Sequence, residues 1–151
     1  MNIIIIFCAE ALIFIAVAYA MLHVYFKHEK RHHIRHIAMV LGAAVLSWAA
    51  SHFLKNIIAH PRPDLTFALI DPNDPYSFPS GHASFMFALA FTMYAIDRRA
   101  AWILLVLATI TGISRVLVGV HYWYDIVGGA VLGLIVAVVV TALGKRFIKS
   151  A

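Results

Sequence analysis

Residues 126–143 read IVGGAVLGLIVAVVVTAL, eighteen residues without one charged side chain. A helix of roughly this length crosses most of the hydrocarbon core of a bilayer. Four further apolar stretches precede it, at about 3–26, 37–54, 82–96 and 101–118. Backbone groups in lipid must satisfy their own hydrogen bonds, so the stretches predict helices. We therefore expect an all-α, polytopic bundle of about five membrane-spanning helices.

The composition excludes an ordinary soluble domain. Hydrophobic residues make up 63% of the 151 residues and charged residues 13%, whereas soluble domains are about half apolar and about a quarter charged. No internal repeat or low-complexity linker interrupts the chain, which indicates a single domain over residues 1–151. The first apolar stretch is too long for the core of a cleaved signal peptide, so we expect it to be retained.

Positive charge is distributed unequally between the two ends of the predicted helices. Nine of the twelve Lys and Arg residues fall on one side and three on the other. Because cytoplasmic loops carry the excess of Lys and Arg, we expect the amino terminus outside and the carboxyl terminus in the cytoplasm. The nine are Lys27, Lys30, Arg31, Arg35, Arg98, Arg99, Lys145, Arg146 and Lys149. As topology signals and headgroup contacts, they explain the net charge of +5 without a nucleic acid partner.

Three clusters of polar residues lie on the other side, where apolar stretches meet water. Together they contain three permanent cations, two histidines, a glycine at a predicted helix start and a carboxylate. They are Lys55-x6-Arg62-Pro63, Pro79-Ser80-Gly81-His82 and Ser114-Arg115-x5-His121-x3-Asp125.

The second cluster predicts an anion site at the start of a helix. Ser80 is a favourable N-cap, and Gly81 lets the backbone approach a ligand closely. Free N–H groups and the helix dipole attract an anion at such a start. His82 lies in the first turn, where it can pass a proton to a leaving oxygen. A capped helix with an incidental histidine is the alternative for this cluster alone.

The third cluster predicts a histidine oriented by a carboxylate. His121 and Asp125 are four residues apart and would share a face on a helical turn. The carboxylate can hold one ring nitrogen and leave the other aimed at a substrate, which makes the imidazole a nucleophile. Taken alone, this spacing is more often structural.

The three cations suit a phosphoryl group. Arg62 and Arg115 offer planar forks to phosphate oxygens, and Lys55 acts as a point charge. Together they could offset the charge on a pentacoordinate phosphorus without a metal. The alternative, that they are topology or headgroup anchors, is disfavoured because topology favours their absence on this side.

In this order and spacing, the clusters resemble the three-part signature of the type 2 phosphatidic acid phosphatase family, which includes vanadium haloperoxidases and glucose-6-phosphatase-like enzymes. The resemblance covers residues 55–125 and implies a hydrolase without a metal or another cofactor. It implies that His121 forms a phosphohistidine, that Asp125 orients it, and that His82 is the general acid. The residues implied to hold phosphate are Lys55, Arg62, Ser80, Gly81 and Arg115, with Ser114 in a supporting role. Membrane members of the family commonly have six helices, one more than the five predicted here.

The leading hypothesis is an integral membrane lipid phosphatase acting at the outer face of a bacterial or archaeal cytoplasmic membrane. Its substrate would be a lipid phosphate or diphosphate, with undecaprenyl diphosphate as the first choice and phosphatidic acid or phosphatidylglycerophosphate as alternatives. The other hypotheses are a vanadate-dependent peroxidase with the same pocket and a non-catalytic lipid-binding protein. Membrane lipids are expected partners, and a homo-oligomer is compatible with the sequence.

Other residues have two interpretations. Glu10, inside the first apolar stretch, either has a substrate-related role, or reaches water or pairs with a neighbour. Gly129 and Gly133 indicate close helix packing. His52 and His60 flank Lys55 and either line the site or pack in the bundle.

The loop at 64–78 mixes apolar and acidic residues. We expect it to lie on the membrane surface and partly cover the pocket. Its acidic residues Asp64, Asp71 and Asp74 are expected in solvent.

Overall fold

The computed structural model describes residues 2–27, 30–72 and 74–149, without the side chains of 30–32 and 145–149. All regular elements of this part are helical, as predicted. The helices are α1 (Asn2–Glu10), α2 (Leu12–Lys27), α3 (Lys30–Ile58), α4 (Gly81–Tyr94), α5 (Arg98–Leu117) and α6 (Trp123–Lys149). A short 3₁₀ helix, Leu65–Phe67, lies in the loop between α3 and α4.

Three of the described helices contain segments long and apolar enough to cross a membrane: His33–Ile58, Arg98–Leu117 and Trp123–Gly144. The first apolar stretch is broken into α1 and α2, which meet at 48° and together could form a fourth span. The prediction of five spans is therefore not confirmed.

The remaining predicted span, at 82–96, corresponds to α4, which has 14 residues. A membrane-spanning helix needs at least about 17 residues. Nine residues of α4 are buried, because the helix packs against α2, α3, α5 and α6. A helix surrounded by protein in this way does not need to match the thickness of the lipid.

The core of the bundle is built around α4. Its largest fully buried side chains are Met86, Leu89 and Met93 of α4, Leu104 of α5, Val24 of α2 and Val40 of α3. The large apolar residues of α6, by contrast, are mostly exposed. A helix that is hydrophobic on its outer face suits a lipid environment.

Helices α4 and α6 are in direct backbone contact. A Cβ atom on Gly129 would lie 2.8 Å from Cβ of Ala83 and 2.9 Å from the carbonyl oxygen of Ser80. One on Gly133 would lie 2.7 Å from the amide nitrogen of Ala88. The two glycines therefore serve close packing within the chain, as the sequence indicated.

At the end of the bundle away from the three clusters, α2 is tied to the start of α5. Asp97 caps α5 by accepting hydrogen bonds from the N–H groups of Arg99 (2.8 Å) and Ala100 (3.2 Å). Its Oδ2 also lies 2.8 Å from Nζ of Lys27 and 3.1 Å from Nε2 of His23. These contacts bring two of the predicted basic loops to the same end of the bundle.

Gly133→Ala should lower the melting temperature of the purified protein in detergent. The added methyl group would lie 2.7 Å from the amide nitrogen of Ala88, and backbone cannot move aside as a side chain can. Overpacking costs about 1–3 kcal/mol, whereas Gly→Ala in a helix contributes only about 1 kcal/mol. Gly42→Ala on α3 is the matched control because nothing lies within 4 Å of its added Cβ. Equal melting temperatures for Gly133→Ala and Gly42→Ala would contradict the close packing.

Candidate active site

One cavity of about 330 Å³ collects residues from all three clusters. We call it the site cavity. Six of the residues predicted for the site line it: Lys55, Arg62, Gly81, His82, Arg115 and His121. It is further lined by Glu10, Trp48, His52, Asp71, Pro72 and Asp74. Three predicted residues, Ser80, Ser114 and Asp125, do not line the cavity and are buried.

His121 and Asp125 are hydrogen-bonded at the turn between α5 and α6. Nδ1 of His121 lies 3.1 Å from Oδ2 of Asp125. The same oxygen accepts a hydrogen bond from the N–H of Tyr122 at 2.8 Å. With the proton on Nδ1 donated to the carboxylate, Nε2 keeps its lone pair. Since His121 lines the site cavity, this arrangement provides a neutral imidazole that can act as a nucleophile.

The protonation state of His121 depends on its surroundings. Burial lowers its pKa to about 4, and the charges of Arg115, Arg62 and Lys55 act in the same direction, while the hydrogen bond to Asp125 acts to raise it. Burial has the largest effect on this pKa, and it lowers the pKa because it penalises the charged imidazolium. The ring is therefore neutral at pH 7.

The start of α4 brings His82 to the same cavity. The side chain of Ser80 accepts a hydrogen bond from the N–H of Ala83 at 3.4 Å, which confirms the predicted N-cap. The N–H of Ser80 donates to the carbonyl oxygen of Asp125 at 3.1 Å. The helix start that carries His82 is thus connected directly to the residue that is hydrogen-bonded to His121.

The three cations, which we call the cation cradle, are Lys55, Arg62 and Arg115. Their side chains are 6%, 4% and 6% exposed. Nη1 of Arg62 donates to the carbonyl oxygen of Val120 at 2.7 Å, which ties it to the residue before His121. Nε of Arg115 is buried and has no hydrogen-bond partner among the described residues.

Asp74 is bound to two members of the cation cradle. Its carboxylate accepts hydrogen bonds from Nζ of Lys55, at 3.0 Å to each oxygen, and from Nη2 of Arg62 at 2.8 Å. Burial acts to raise the pKa of Asp74, but Lys55 and Arg62 outweigh it and lower the pKa below its usual value. The prediction that Asp74 lies in solvent is therefore wrong.

The position of Asp74 follows from the way its loop folds back. Pro61 and Tyr76 form an isolated antiparallel bridge, and the N–H of Ser77 donates to the carbonyl oxygen of His60 at 2.8 Å. Asp71 lines the site cavity. Asp64 is exposed, as predicted, and caps the 3₁₀ helix.

Glu10 pairs with the third member of the cradle. Its Oε1 contacts Nη1 of Arg115, and its side chain is 49% exposed. Glu10 therefore pairs with a neighbour, one of the alternatives that the sequence left open, and it also lines the site cavity. His52 also lines the cavity, with its ring 4.5 Å from that of Trp48.

Ser77 is a buried residue beside Asp125 that the sequence did not single out. Its Oγ lies 3.4 Å from Oδ1 of Asp125 and 3.1 Å from the carbonyl oxygen of Pro61. His60 contacts Ser77, with Nδ1 3.2 Å from Oγ, and does not line the site cavity. A serine three residues before the N-cap has no local signal that would distinguish it from an ordinary loop residue.

A second cavity, the apolar groove, adjoins the first. Its volume is about 640 Å³, and it shares Glu10, Trp48 and His82 with the site cavity. Its remaining lining is hydrophobic: Ile13, Phe14, Val17, Val45 and Phe85. Polar and apolar binding spaces therefore meet at three common residues.

Residues 33–149 match the PAP2 superfamily. The chain belongs to this superfamily. It is 30% identical over 122 residues to undecaprenyl-diphosphatase BcrC of Bacillus subtilis (strain 168), which covers 79% of this chain and 60% of that protein. It is 34% identical over 111 residues to decaprenylphosphoryl-5-phosphoribose phosphatase of Mycobacterium tuberculosis (strain ATCC 25618 / H37Rv), covering 70% of this chain and 60% of that protein. The chain thus spans about three-fifths of the length of these PAP2 relatives.

Two solved structures share the PAP2 fold seen here. The transmembrane PAP2 type phosphatidylglycerolphosphate phosphatase from Bacillus subtilis has a TM-score of 0.71 and 23% identity, covering 96% of this chain and 77% of that chain. LpxE of Aquifex aeolicus also has a TM-score of 0.71, with 20% identity, covering 94% of this chain and 87% of that chain. At these identities the likeness concerns the fold.

Titration of the His121 ring should give a midpoint near pH 4, because burial and three nearby cations disfavour the imidazolium. NMR of histidine-labelled protein in detergent, with the signal assigned by its loss in His121→Asn, measures it. In Asp125→Asn the midpoint should fall further, since the hydrogen bond that favours the charged ring is weakened. A midpoint at or above the ordinary value of about 6.5 would contradict the described surroundings of His121.

Proposed function

We propose that this protein is an integral membrane lipid phosphatase that hydrolyses a lipid phosphate or diphosphate through a phosphohistidine. The observation that carries the proposal is the His121–Asp125 hydrogen bond of 3.1 Å beside the cation cradle. A carboxylate-oriented imidazole can attack phosphorus, and three cations can stabilise the negative charge of the transition state. The PAP2 relatives named as phosphatases support the same reaction class.

Binding begins with the phosphate oxygens. Arg62 and Arg115 can each present paired N–H donors, and Lys55 adds a point charge. Nε of Arg115, which lacks a hydrogen-bond partner among the described residues, suits a ligand oxygen. The first N–H groups of α4, at Gly81 and His82, lack intrahelical acceptors and favour an anion at this end.

Transfer then proceeds in two steps. Nε2 of His121 attacks phosphorus, the bond to the leaving oxygen breaks, and His82 donates a proton to that oxygen. In the second step, water attacks the phosphohistidine, gives its proton to His82 and releases inorganic phosphate with a free His121. Asp125 keeps the proton on Nδ1 throughout and stabilises any positive charge on the ring.

The apolar groove is a suitable site for the lipid tail. It shares Glu10, Trp48 and His82 with the site cavity, so a tail in the groove could place its phosphate in the cradle. Undecaprenyl diphosphate is the first substrate to test, because one relative is named for that substrate and another for a decaprenyl lipid. Phosphatidic acid and phosphatidylglycerophosphate are the alternatives.

His121→Ala should reduce phosphate release from these lipids by at least about 10³-fold, as loss of a nucleophile does in other enzymes. Phosphate release from purified protein in detergent micelles measures it. His33→Ala, at the other end of α3, is the control and should retain the wild-type rate.

Activity should also survive EDTA, and vanadate should inhibit it. Full activity of His121→Ala, or strict dependence on a divalent ion, would contradict the mechanism. Activation of a peroxidase reaction by vanadate would identify a different chemistry in the same pocket.

We further propose that the site faces the outside of the cytoplasmic membrane. The proposal rests on the charge distribution, since nine of twelve Lys and Arg residues belong to the opposite end. Five of the nine, namely Lys30, Arg31, Lys145, Arg146 and Lys149, have side chains outside the described part.

An impermeant thiol reagent tests the orientation in intact cells. In a Cys8→Ala background, Asp71→Cys in the exposed loop should be labelled from outside. Arg99→Cys, an exposed position at the other end, should be labelled only after the cells are opened. The reverse pattern would place the site in the cytoplasm.

A further inference from the structure

The cation cradle is already occupied by carboxylates of the protein itself. Nζ of Lys55 hydrogen-bonds both oxygens of Asp74 and the carbonyl oxygen of Tyr76, all at 3.0 Å. An ammonium group has three N–H donors, so these contacts leave none of them for a ligand. Arg62 uses two of its nitrogens on Asp74, with Nε donating to the carbonyl oxygen at 2.7 Å and Nη2 to the carboxylate at 2.8 Å.

A second carboxylate does the same at the other side of the cradle. Glu10, from the end of α1, contacts Nη1 of Arg115. Asp71 lines the same cavity. The wall of the site cavity thus holds three cations and three carboxylates, and their formal charges cancel.

Binding of a phosphate is therefore an exchange of anions. A ligand oxygen can reach Nζ of Lys55 only if Asp74 gives way. Asp74 lies on a loop with 29% of its side chain exposed, whereas Lys55 and Arg62 are 6% and 4% exposed. The carboxylate is the partner that can move toward solvent, and its displacement costs the same free energy for any anion that replaces it.

Because this cost is the same for every anion, it leaves the ratio of two affinities unchanged. It acts instead as a threshold that a weakly bound anion does not pass. A phosphomonoester or a terminal phosphate carries close to two negative charges at neutral pH, and a phosphodiester carries one. In surroundings of intermediate dielectric, one charge at contact distance from a cation contributes several kcal/mol. A dianion gains enough attraction to displace a carboxylate, whereas a monoanion only replaces one singly charged group with another.

The surrounding membrane makes such a threshold necessary. Phosphodiester lipids are present in large excess over any phosphomonoester lipid, and the apolar groove offers the same hydrophobic lining to the tails of both. Discrimination between them therefore has to come from the cradle rather than from the groove.

We propose that Asp74, assisted by Glu10, competes with every anion for the cradle, so that monoanionic phosphodiester headgroups, which bind weakly, stay out and dianionic phosphate groups enter. The proposal rests on the lipid phosphatase function proposed above. Asp74 acts by competing for Lys55 and Arg62, and it takes no part in the bond-breaking steps.

The test is the affinity of the cradle for small anions, measured by calorimetry on the full chain in neutral detergent. Asp74→Asn should bind both inorganic phosphate and dimethyl phosphate at least about tenfold more tightly than the wild type, because no charged competitor has to be displaced. Asp64→Asn is the matched control, since Asp64 lies in the same loop and its carboxylate accepts hydrogen bonds from the N–H and the hydroxyl group of Thr66. Its affinities should equal those of the wild type.

The functional arm uses micelles of a lipid phosphomonoester with and without phosphatidylglycerol, an anionic phosphodiester. With the phosphomonoester held well below its KM, phosphatidylglycerol should inhibit Asp74→Asn at a concentration at least about tenfold below that needed for the wild type. Glu10→Gln should show the same change, of smaller size.

A gain of affinity decides the test, because a variant with a damaged site would bind anions more weakly and not more tightly. Unchanged or weaker binding of both anions by Asp74→Asn would overturn the proposal and make Asp74 a residue that orders the cations. If the affinities shift as expected while the wild type releases no phosphate from any lipid, the anion exchange stands and the proposed reaction is wrong.

Discussion

The direct contact between the start of α4 and the first two turns of α6 is the constraint on which the site depends. Gly129 leaves no room for a side chain against Ser80 and Ala83, and the N–H of Ser80 donates to the carbonyl oxygen of Asp125 at 3.1 Å. One contact therefore fixes the helix start that carries His82 relative to the pair formed by His121 and Asp125. The two histidines reach one cavity because the backbones that hold them touch.

The second constraint is electrostatic. Three cations with side chains about one-twentieth exposed cannot be buried at the edge of a bilayer without partners, since an unpaired buried charge costs several kcal/mol. Asp74 and Glu10 supply the partners when no ligand is bound. In the anion exchange proposed above, a ligand has to displace the same two carboxylates, so the contacts that stabilise the buried cations also set the threshold for binding. A bound phosphate group would restore the negative charge that the carboxylates leave.

The sequence could predict the parts of the structure that depend on local signals. The apolar stretches locate the helices, although the first stretch divides into α1 and α2 and although α3 and α6 extend beyond their stretches by up to seven and six residues. Ser80 caps α4, as its position after Pro79 indicated. His121 and Asp125 meet because a spacing of four residues at the start of α6 leaves little freedom. That the three clusters meet in one cavity could also be predicted, because each cluster lies at a helix end on the same side of the bundle.

Other features depend on contacts that are distant in the chain. Residues 7–14, FCAEALIF, contain neither proline nor glycine, so no local rule predicts the bend between α1 and α2. Asp74 is 19 residues from Lys55 and 12 from Arg62. Its loop brings it to them by folding back so that Tyr76 pairs with Pro61. Burial of α4 by its neighbours likewise explains why a helix too short to span a bilayer alone can form part of the bundle.

The most direct test is to identify the residue that carries the phosphoryl group during turnover. Rapid quenching of His82→Ala with a phosphate ester that has a good leaving group, followed by mass spectrometry under conditions that preserve phosphohistidine, would trap the intermediate. Such a leaving group departs without a proton, whereas release of the phosphate by water is slowed. The account predicts phosphate on His121 and on no other residue. Turnover with the phosphoryl group on a different residue, or with no phosphorylated protein at all, would contradict it.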